Sequence, residues 1–538
     1  MQGWLPVSPS DTLLSLLSLE QYDDLPPPTV NNSCCFVLLC LAHRPEPGFT
    51  RAHPGECDCQ SPVRQGPAPL ELTLKEFMHK YNIPGLSVAV IDNYKIAWAK
   101  GFGVTVPGGN EPVVPTTLFQ AGSISKPVAA AGALWLVERG KLTLDEDVNN
   151  KLKSWKVPEN EFTRTEKVTL RRIMSHTAGL TVHGFPGYAA GEPAPALVQV
   201  LNGEKPANTA PIRVDVVPGS RMRYSGGGVT IEQQLMIDVT GKPFPQFMKE
   251  AVLSKIGMSN STYEQPLPAA LAVHAATGTR PNFKPLEGKW HVYPEMAAAG
   301  LWTTPTDLAK FAIEIALSKQ GKANHVLSQK MVREMLTPVP RHPEDESGPV
   351  GLGFFLSDKS ADQFGHDGSD EGFQASLTML ADSGKGIVIM GNSDTFFYIT
   401  PHIVDAVARE YGWSFNPAQK SAGHVLLLLE NVKSTQTALD FYAKIKQGEA
   451  PEYKLGEDAL NMLGYHLLRQ KRMDEAIKVF QLNVQEYPKS WNPYDSLAEA
   501  YAAAGQKDLA IQNYEKSLAL NPNNKNGAEK LKKLKDAP

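Results

Sequence analysis

The sequence predicts an α+β domain, in which an antiparallel sheet is flanked by helices and interrupted by a helical subdomain, followed by an all-α module of helical repeats. Three observations carry this. β-rich runs occur at 86–91 (LSVAVI) and 94–100 (YKIAWAK) and return at 352–357, 373–380 and 386–392. Helical and loop segments fill the interval from Ser123 to about Tyr293. Beyond Trp413 an apolar pattern recurs with a spacing of 34 residues. Strands at both ends of a helical middle share one sheet only if the two ends of the domain come together.

A chain of 538 residues is too long for one ordinary domain, so two or three units are expected. An apolar content of 42% with 20% charged residues describes a globular chain. A net charge of −4 gives no reason to expect nucleic acid or an anionic membrane as partner. No run of 18 apolar residues is present, so no transmembrane span is expected. All five cysteines lie within the first 59 residues, which leaves the rest without a disulfide framework or a cysteine metal site. Cys57-Asp58-Cys59 has the wrong spacing for a zinc knuckle. No metal and no cofactor is implied.

The expected organisation is an irregular, Pro-rich leader over 1–66, a large α+β domain over 67–412, a linker with a divergent helical pair over 413–456, two repeats over 457–524 and a tail over 525–538. Residues 70–81 read as an amphipathic helix broken by Pro84-Gly85. The first two strands form a hairpin around Asp92-Asn93. Ser123-Ile124-Ser125-Lys126 opens a helix whose continuation, 128–137 (VAAAGALWLV), is apolar nearly all round and therefore buried, with Gly140 closing it. A last helix is expected near 400–411.

The chemistry concentrates in that tetrad. A serine with a lysine one turn later puts an oxygen beside an amine that can take its proton, at a helix start that favours negative charge. A lysine acts as a base only as the free amine, which burial or a neighbouring cation favours. Chance supplies roughly one or two S-x-x-K patterns in a chain of this length; two further segments give this one its meaning. Tyr224-Ser225-Gly226 lies in 221–230 (RMRYSGGGVT), and His366-Asp367-Gly368 in 364–373 (FGHDGSDEGF).

The three segments follow the order and rough spacing of the serine β-lactamase and penicillin-binding protein superfamily. Over residues 70–412 the chain resembles the class C β-lactamase-like serine hydrolases, a group that includes esterases, D-aminopeptidases and other peptidases. Residues 84–90, 174–180 (MSHTAGL) and 298–311 are similar as well. The resemblance implies a serine β-lactamase/transpeptidase-like fold with the site between two subdomains. It implies Ser123 as nucleophile, Lys126 as base and Tyr224 as a second proton carrier. His366 stands where many relatives carry lysine, Gly368 leaves room for the substrate, and the Ser369 backbone N–H joins that of Ser123 as oxyanion donor. His366 would change charge between pH ~5 and ~8 and give the rate an acidic limb.

Two departures steer the substrate class. Gly226 replaces the asparagine of penicillin-recognising relatives, and His366 replaces a permanent cation. Both point to a peptidase, amidase or esterase acting on a small acyl, peptide or ester substrate, rather than to an efficient β-lactamase. His176, in the S-H-T-A-G-L turn, is the alternative base of a Ser–His arrangement. The G-x-S-x-G elbow of α/β-hydrolases and the H-E-x-x-H of metal hydrolases are both absent. The competing function is a non-catalytic, penicillin-binding-like protein that recognises peptides. Residues 34–42 form an apolar run of signal-peptide length with no basic residue before it. It is either an export signal or an apolar patch; relatives that act outside the cytoplasm favour a periplasmic or secreted location, with the cytoplasm left open.

After Trp413, Leu463, Ala476 and Pro488 recur as Leu497, Ala510 and Pro522. This 34-residue phase resembles tetratricopeptide repeats, which implies a protein partner or self-association. Residues 421–447 supply a further helical pair to cap a stack that two repeats alone leave short.

Overall fold

The computed structural model describes residues 74–340, 348–357, 360, 362–413, 420–451 and 453–536. The expectations placed on the leader 1–66, including its cysteines and the run 34–42, lie outside the described residues. The chain divides into two compact units, Met1–Lys80 and Tyr81–Pro538. Of the first, only the helix Leu74–Lys80 is described.

The second unit is built on six antiparallel strands: β1 (Gly85–Asp92), β2 (Lys95–Gly103), β5 (Phe355–Leu356), β6 (Gln363–Asp370), β7 (Phe373–Leu380) and β8 (Lys385–Gly391). Their order is β2-β1-β8-β7-β6-β5, so β1 pairs with both the next strand and the last. This is the closure of the two domain ends expected from the strand distribution. β1 is buried along nearly its whole length, and its register with β8 runs from Leu86 opposite Gly391 to Ile91 opposite Gly386. The buried Asn392 seals the junction. Its Oδ1 accepts from Gly85 N at 2.9 Å, and its Nδ2 donates to the carbonyls of Thr105 and Thr277, each at 3.0 Å.

The β1–β2 turn sits one residue later than the sequence suggests. Asp92 pairs with Lys95, and the corner is Asn93-Tyr94, with φ of 50° and 60°. Both corner residues adopt the left-handed values that a two-residue hairpin turn demands. The expected strand at 352–357 shrinks to Phe355–Leu356, because Gly353 turns the backbone to φ 90°.

Helices cover the sheet and fill the interval between β2 and β5. The helix Pro305–Lys319, capped by Thr304, packs on β1 and β8. The helix Ser125–Glu138 is buried on nearly every side, as its composition requires. Gly132 lets it pass close to its neighbour, since a Cβ there would lie 2.6 Å from Met248 Sδ. A two-stranded ribbon, β3 (Phe119–Gln120) with β4 (Trp302–Thr303), joins the start of this helix to residues 298–301.

Beyond residue 420, paired helices follow at Ala422–Val432 and Thr435–Lys446, Glu457–Arg469 and Met473–Glu486, and Asn492–Ala503 and Lys507–Leu520. The 34-residue phase is a packing phase: Leu463 with Leu497, and Ala476 with Ala510, are all buried in one apolar cluster. Gly464 is small because the Phe480 ring would lie 2.6 Å from any Cβ placed on it. The tail is itself a helix, Lys525–Asp536, because Leu534 packs on the repeat core and Lys530 pairs with Glu499. No helix among the described residues is long and apolar enough to cross a membrane.

The two apolar clusters share no residue. A chain ending at Trp413 should therefore stay folded, with a single cooperative thermal transition close to that of the domain in the full chain. Calorimetry of the two proteins checks this. An insoluble truncated product would mean that the repeats complete the core of the preceding domain.

Candidate active site

The tetrad begins in a tight turn rather than in the α-helix itself. Gly122–Ile124 is a 3₁₀ turn, and the α-helix starts at Ser125. Gly122 has φ +51°, and a Cβ on it would lie 2.4 Å from Ser369 N. Glycine is therefore required both by the backbone angle and by the approach of β6. Ser125 anchors the turn from behind: its Oγ accepts from Leu301 N at 3.0 Å, and its carbonyl accepts from Tyr263 Oη at 2.7 Å.

Lys126, buried at 3% exposure, lies one residue into the helix. Its Nζ is 2.9 Å from Ser123 Oγ and donates to the Ala298 carbonyl at 2.7 Å. The Ala298 segment is fixed by Gln233 of the helix Gly226–Thr240, which accepts from Ala297 N at 2.9 Å and donates to Pro294 O at 3.0 Å. The lysine is thus aimed by a carbonyl that lies 172 residues away in sequence.

Tyr224 is presented by the cap of that same helix. Ser225 Oγ accepts from Gly228 N at 2.9 Å and donates to Thr181 O at 2.7 Å, which fixes the chain just beyond Tyr224. The tyrosine ring lies 4.2 Å from the His176 ring and is stacked on Phe355 at 6.1 Å. Lys126 Nζ is 5.0 Å from its centroid. His176 Nδ1 accepts from Ser225 N at 3.2 Å, so its ring supports Tyr224. Burial, together with the charge of Lys126, holds His176 well below its ordinary pKa. This placement removes the Ser–His alternative, because the acceptor nitrogen of His176 is already engaged.

β6 passes along the other side of Ser123. Its alternation puts His366, Gly368 and Asp370 on the buried face. A Cβ on Gly368 would lie 1.9 Å from Ala121 O and 3.0 Å from Ser123 N. Two glycines, 122 and 368, thus let the strand lie directly on the turn, and the amides of Ser123 and Ser369 come close together. Ser123, Lys126, Tyr224, His366, Gly368 and Ser369 all line one cavity of about 520 Å³.

His366 departs from its expected titration. Its Nδ1 is 2.5 Å from the Asp367 carbonyl, which can only accept, so Nδ1 carries the proton and Nε2 has no partner among the described residues. Burial, and then the charge of Lys126, push its pKa down to about 3. The imidazole is neutral through the whole range in which it was expected to switch, so the acidic limb assigned to it is withdrawn.

Several contributors escaped the sequence reading. Asp370 lay inside a recognised motif, but nothing in the sequence marked it. The 183–185 loop and the Ala298 carbonyl depend on long-range packing alone. Gly226 N donates to His183 O at 2.9 Å, and a Cβ on Gly226 would lie 3.1 Å from the Phe185 ring. The Phe185 ring therefore lies directly against Gly226.

The comparisons with known proteins agree with this architecture. The chain belongs to the beta-lactamase family, whose model matches residues 70–407, and a tetratricopeptide repeat matches residues 491–524. The family is one of β-lactamase-fold, penicillin-binding-protein-like serine hydrolases. Unguisins hydrolase ungD' of Aspergillus campestris is 27% identical over 344 residues, covering 60% of this chain and 60% of that protein. The putative penicillin-binding protein PbpX of Bacillus subtilis is 26% identical over 308 residues, covering 56% and 68%. The match spans only about 60% of the length of the unguisins hydrolase. Among solved structures, a beta-lactamase/D-alanine carboxypeptidase from Yersinia pestis superposes with a TM-score of 0.50 at 19% identity, covering 62% of this chain and 95% of that one. The octameric penicillin-binding protein homologue from Pyrococcus abyssi also gives 0.50, at 21% identity, covering 63% and 76%. These two likenesses concern the fold.

The state of His366 has a measurable consequence. An unfolded histidine takes its proton near pH 6.5, whereas the folded one stays neutral down to about 3. Between those values the unfolded chain binds more protons. Stability is therefore complete above about pH 6.5 and falls on acidification, by up to ~1.4 kcal/mol per pH unit for this group; His176 acts in the same sense. Denaturant titrations between about pH 7 and about pH 4 should show a shallower loss for His366→Gln. An unchanged slope would reject the buried neutral state.

Proposed function

We propose that the protein is a serine hydrolase that cleaves amide or ester bonds through an acyl-enzyme. The observation that carries this reading is the 2.9 Å contact of Lys126 Nζ with Ser123 Oγ inside a cavity that Gly368 and Ser369 of β6 also line. Ser123 Oγ attacks the acyl carbon while Lys126 takes its proton. The oxyanion is received by the N–H groups of Ser123 and Ser369, each donor contributing ~3 kcal/mol to barrier lowering. As the intermediate collapses, Tyr224 protonates the departing amine or alcohol and is reprotonated by Lys126. A water molecule then attacks the acyl ester by the same proton route in reverse, releasing the acid and restoring Ser123.

The specificity argument rests on two features of the cavity. A neutral His366 presents an acceptor nitrogen rather than a cation, so a leaving-group carboxylate finds no counter-ion there. Phe185 over Gly226 replaces an amide-gripping side chain with an aromatic edge. Both favour esters and peptide amides over β-lactams. The helical repeats would bind a protein partner or a second copy of the chain.

Fluorophosphonate labelling followed by activity measurements tests the mechanism. Ser123→Ala should abolish labelling and turnover without unfolding the protein. Lys126→Ala should lower acylation by ~10²–10⁴-fold, the scale of a positioned base. Tyr224→Phe should reduce kcat with little change in KM; a change confined to KM would make Tyr224 a contact residue. A Ser123→Ala protein that kept most of its activity would sink the mechanism, and a wild-type protein that never labels would return the reading to a peptide-binding protein.

The substrate class is tested separately with a panel of p-nitrophenyl esters, short peptides, amino-acid amides and nitrocefin. Esters or amides should exceed nitrocefin in kcat/KM by at least ~10²-fold, since the site lacks the polar groups that grip a β-lactam. Nitrocefin as the best substrate would overturn that expectation.

A further inference from the structure

The turn that follows β8 connects the cavity to the helical repeats. Three aromatic residues in succession form the 3₁₀ turn Phe396–Tyr398. Successive side chains of such a turn point ~120° apart, so three in a row reach three different neighbours. Phe396 is fully buried against the end of β8, where a Cβ on Gly391 would lie 2.5 Å from its ring. Phe397 lines the cavity. Tyr398 contacts two rings: Tyr81, with centroids 5.3 Å apart, and His424, edge-on at 5.1 Å. His424 belongs to Ala422–Val432, the first helix of the repeat module. The residue in the cavity wall and the residue that meets the repeats are thus adjacent in sequence.

The place of Phe397 in the cavity indicates which part of a substrate it would meet. Gln374 Oε1 accepts from Phe397 N at 2.8 Å, and Gln374 is paired with Ser369 across β6 and β7. Phe397 is thereby tied to the Ser369 end of the cavity, beyond Gly368 and away from His366. Tyr224 and His366, with rings 6.1 Å apart, mark the opposite side of Ser123, from which the leaving group departs. Phe397 therefore belongs to the acyl side. An aromatic ring there gains contact with each methylene added to an apolar acyl chain, but only while the ring is held in place.

We propose that Phe397 selects the acyl group by apolar length, and that the repeat module holds this ring through His424, a positioning residue that acts on it by way of Tyr398. The inference takes its orientation from the acyl-enzyme reading of Ser123, but the binding it describes needs no turnover.

The test uses full-length Ser123→Ala protein, which cannot consume its ligands. Isothermal titration compares acetyl-glycinamide with hexanoyl-glycinamide. The hexanoyl compound should bind ~10-fold or more tighter, since its four extra carbons are buried against the wall. Adding Phe397→Ala should shrink that ratio to below ~3-fold. Adding His424→Ala should lower it at least ~2-fold, whereas His424→Phe, which keeps a ring against Tyr398, should preserve it. Because His424 acts through Phe397, His424→Ala should change nothing further in the Phe397→Ala background. Equal affinities, no binding of either compound, a ratio unmoved by His424→Ala, or fully additive effects of the two substitutions would each overturn the proposal. If Phe397→Ala fails to fold, the contrast of His424→Ala with His424→Phe still decides. Fluorophosphonate labelling of the unmodified protein reports on the hydrolase reading independently. Labelling without the length preference rejects the role of Phe397 and His424 alone, and the preference without labelling rejects the hydrolase chemistry alone.

Discussion

The site depends on one close approach, that of the Gly122–Ile124 turn to strand β6. Side chains at Gly122 and Gly368 would drive atoms to 2.4 Å and 1.9 Å from the opposing backbone, so only glycine at both positions permits the contact. With it, Gly368 and Ser369 of β6 come to line the same cavity as Ser123. The same contact brings the early tetrad, the Tyr224 cap and the late strand to one cavity. Strand order β2-β1-β8-β7-β6-β5 is the means, since pairing the first hairpin with the last strands carries β6 to the start of the buried helix.

A buried lysine is tolerated there because its hydrogen bonds are supplied from two directions. Ser123 Oγ and the Ala298 carbonyl hold Nζ, and Gln233 holds the segment that carries Ala298. The helix Ser125–Glu138, apolar all round, keeps solvent from the base of this arrangement. Electrostatics then spreads outward. Burial, and after it the neighbouring Lys126, lowers the pKa of both His176 and His366.

The helical repeats follow a different logic. Each pair packs on its neighbours in sequence, with small residues such as Gly464 set against large ones such as Phe480. Stability there is built from adjacent contacts, as in other repeat arrays. The hydrolase-like domain instead depends on contacts between distant segments, such as Asn392 with Gly85 and Lys126 with Ala298.

Much of this was legible in the sequence because it is written in local patterns. β-rich runs marked β1, β7 and β8; an uncharged apolar run marked the buried helix; and a 34-residue phase marked the repeats. The three short motifs named six residues that line one cavity. What the sequence left open were matters of distance. The protonation of His366 follows from burial and from Lys126, the acceptor of Lys126 is a backbone carbonyl with no side-chain signature, and the Asn93-Tyr94 corner is fixed by pairing register rather than by residue preference. Asp370 looked like one more polar residue in a glycine-rich motif, and only the fold turns it inward. Apart from the hairpin corner, the physical reason is common: the sequence determines which groups are available and how they repeat, whereas burial, hydrogen-bond partners and local charge exist only once segments distant in sequence have packed together.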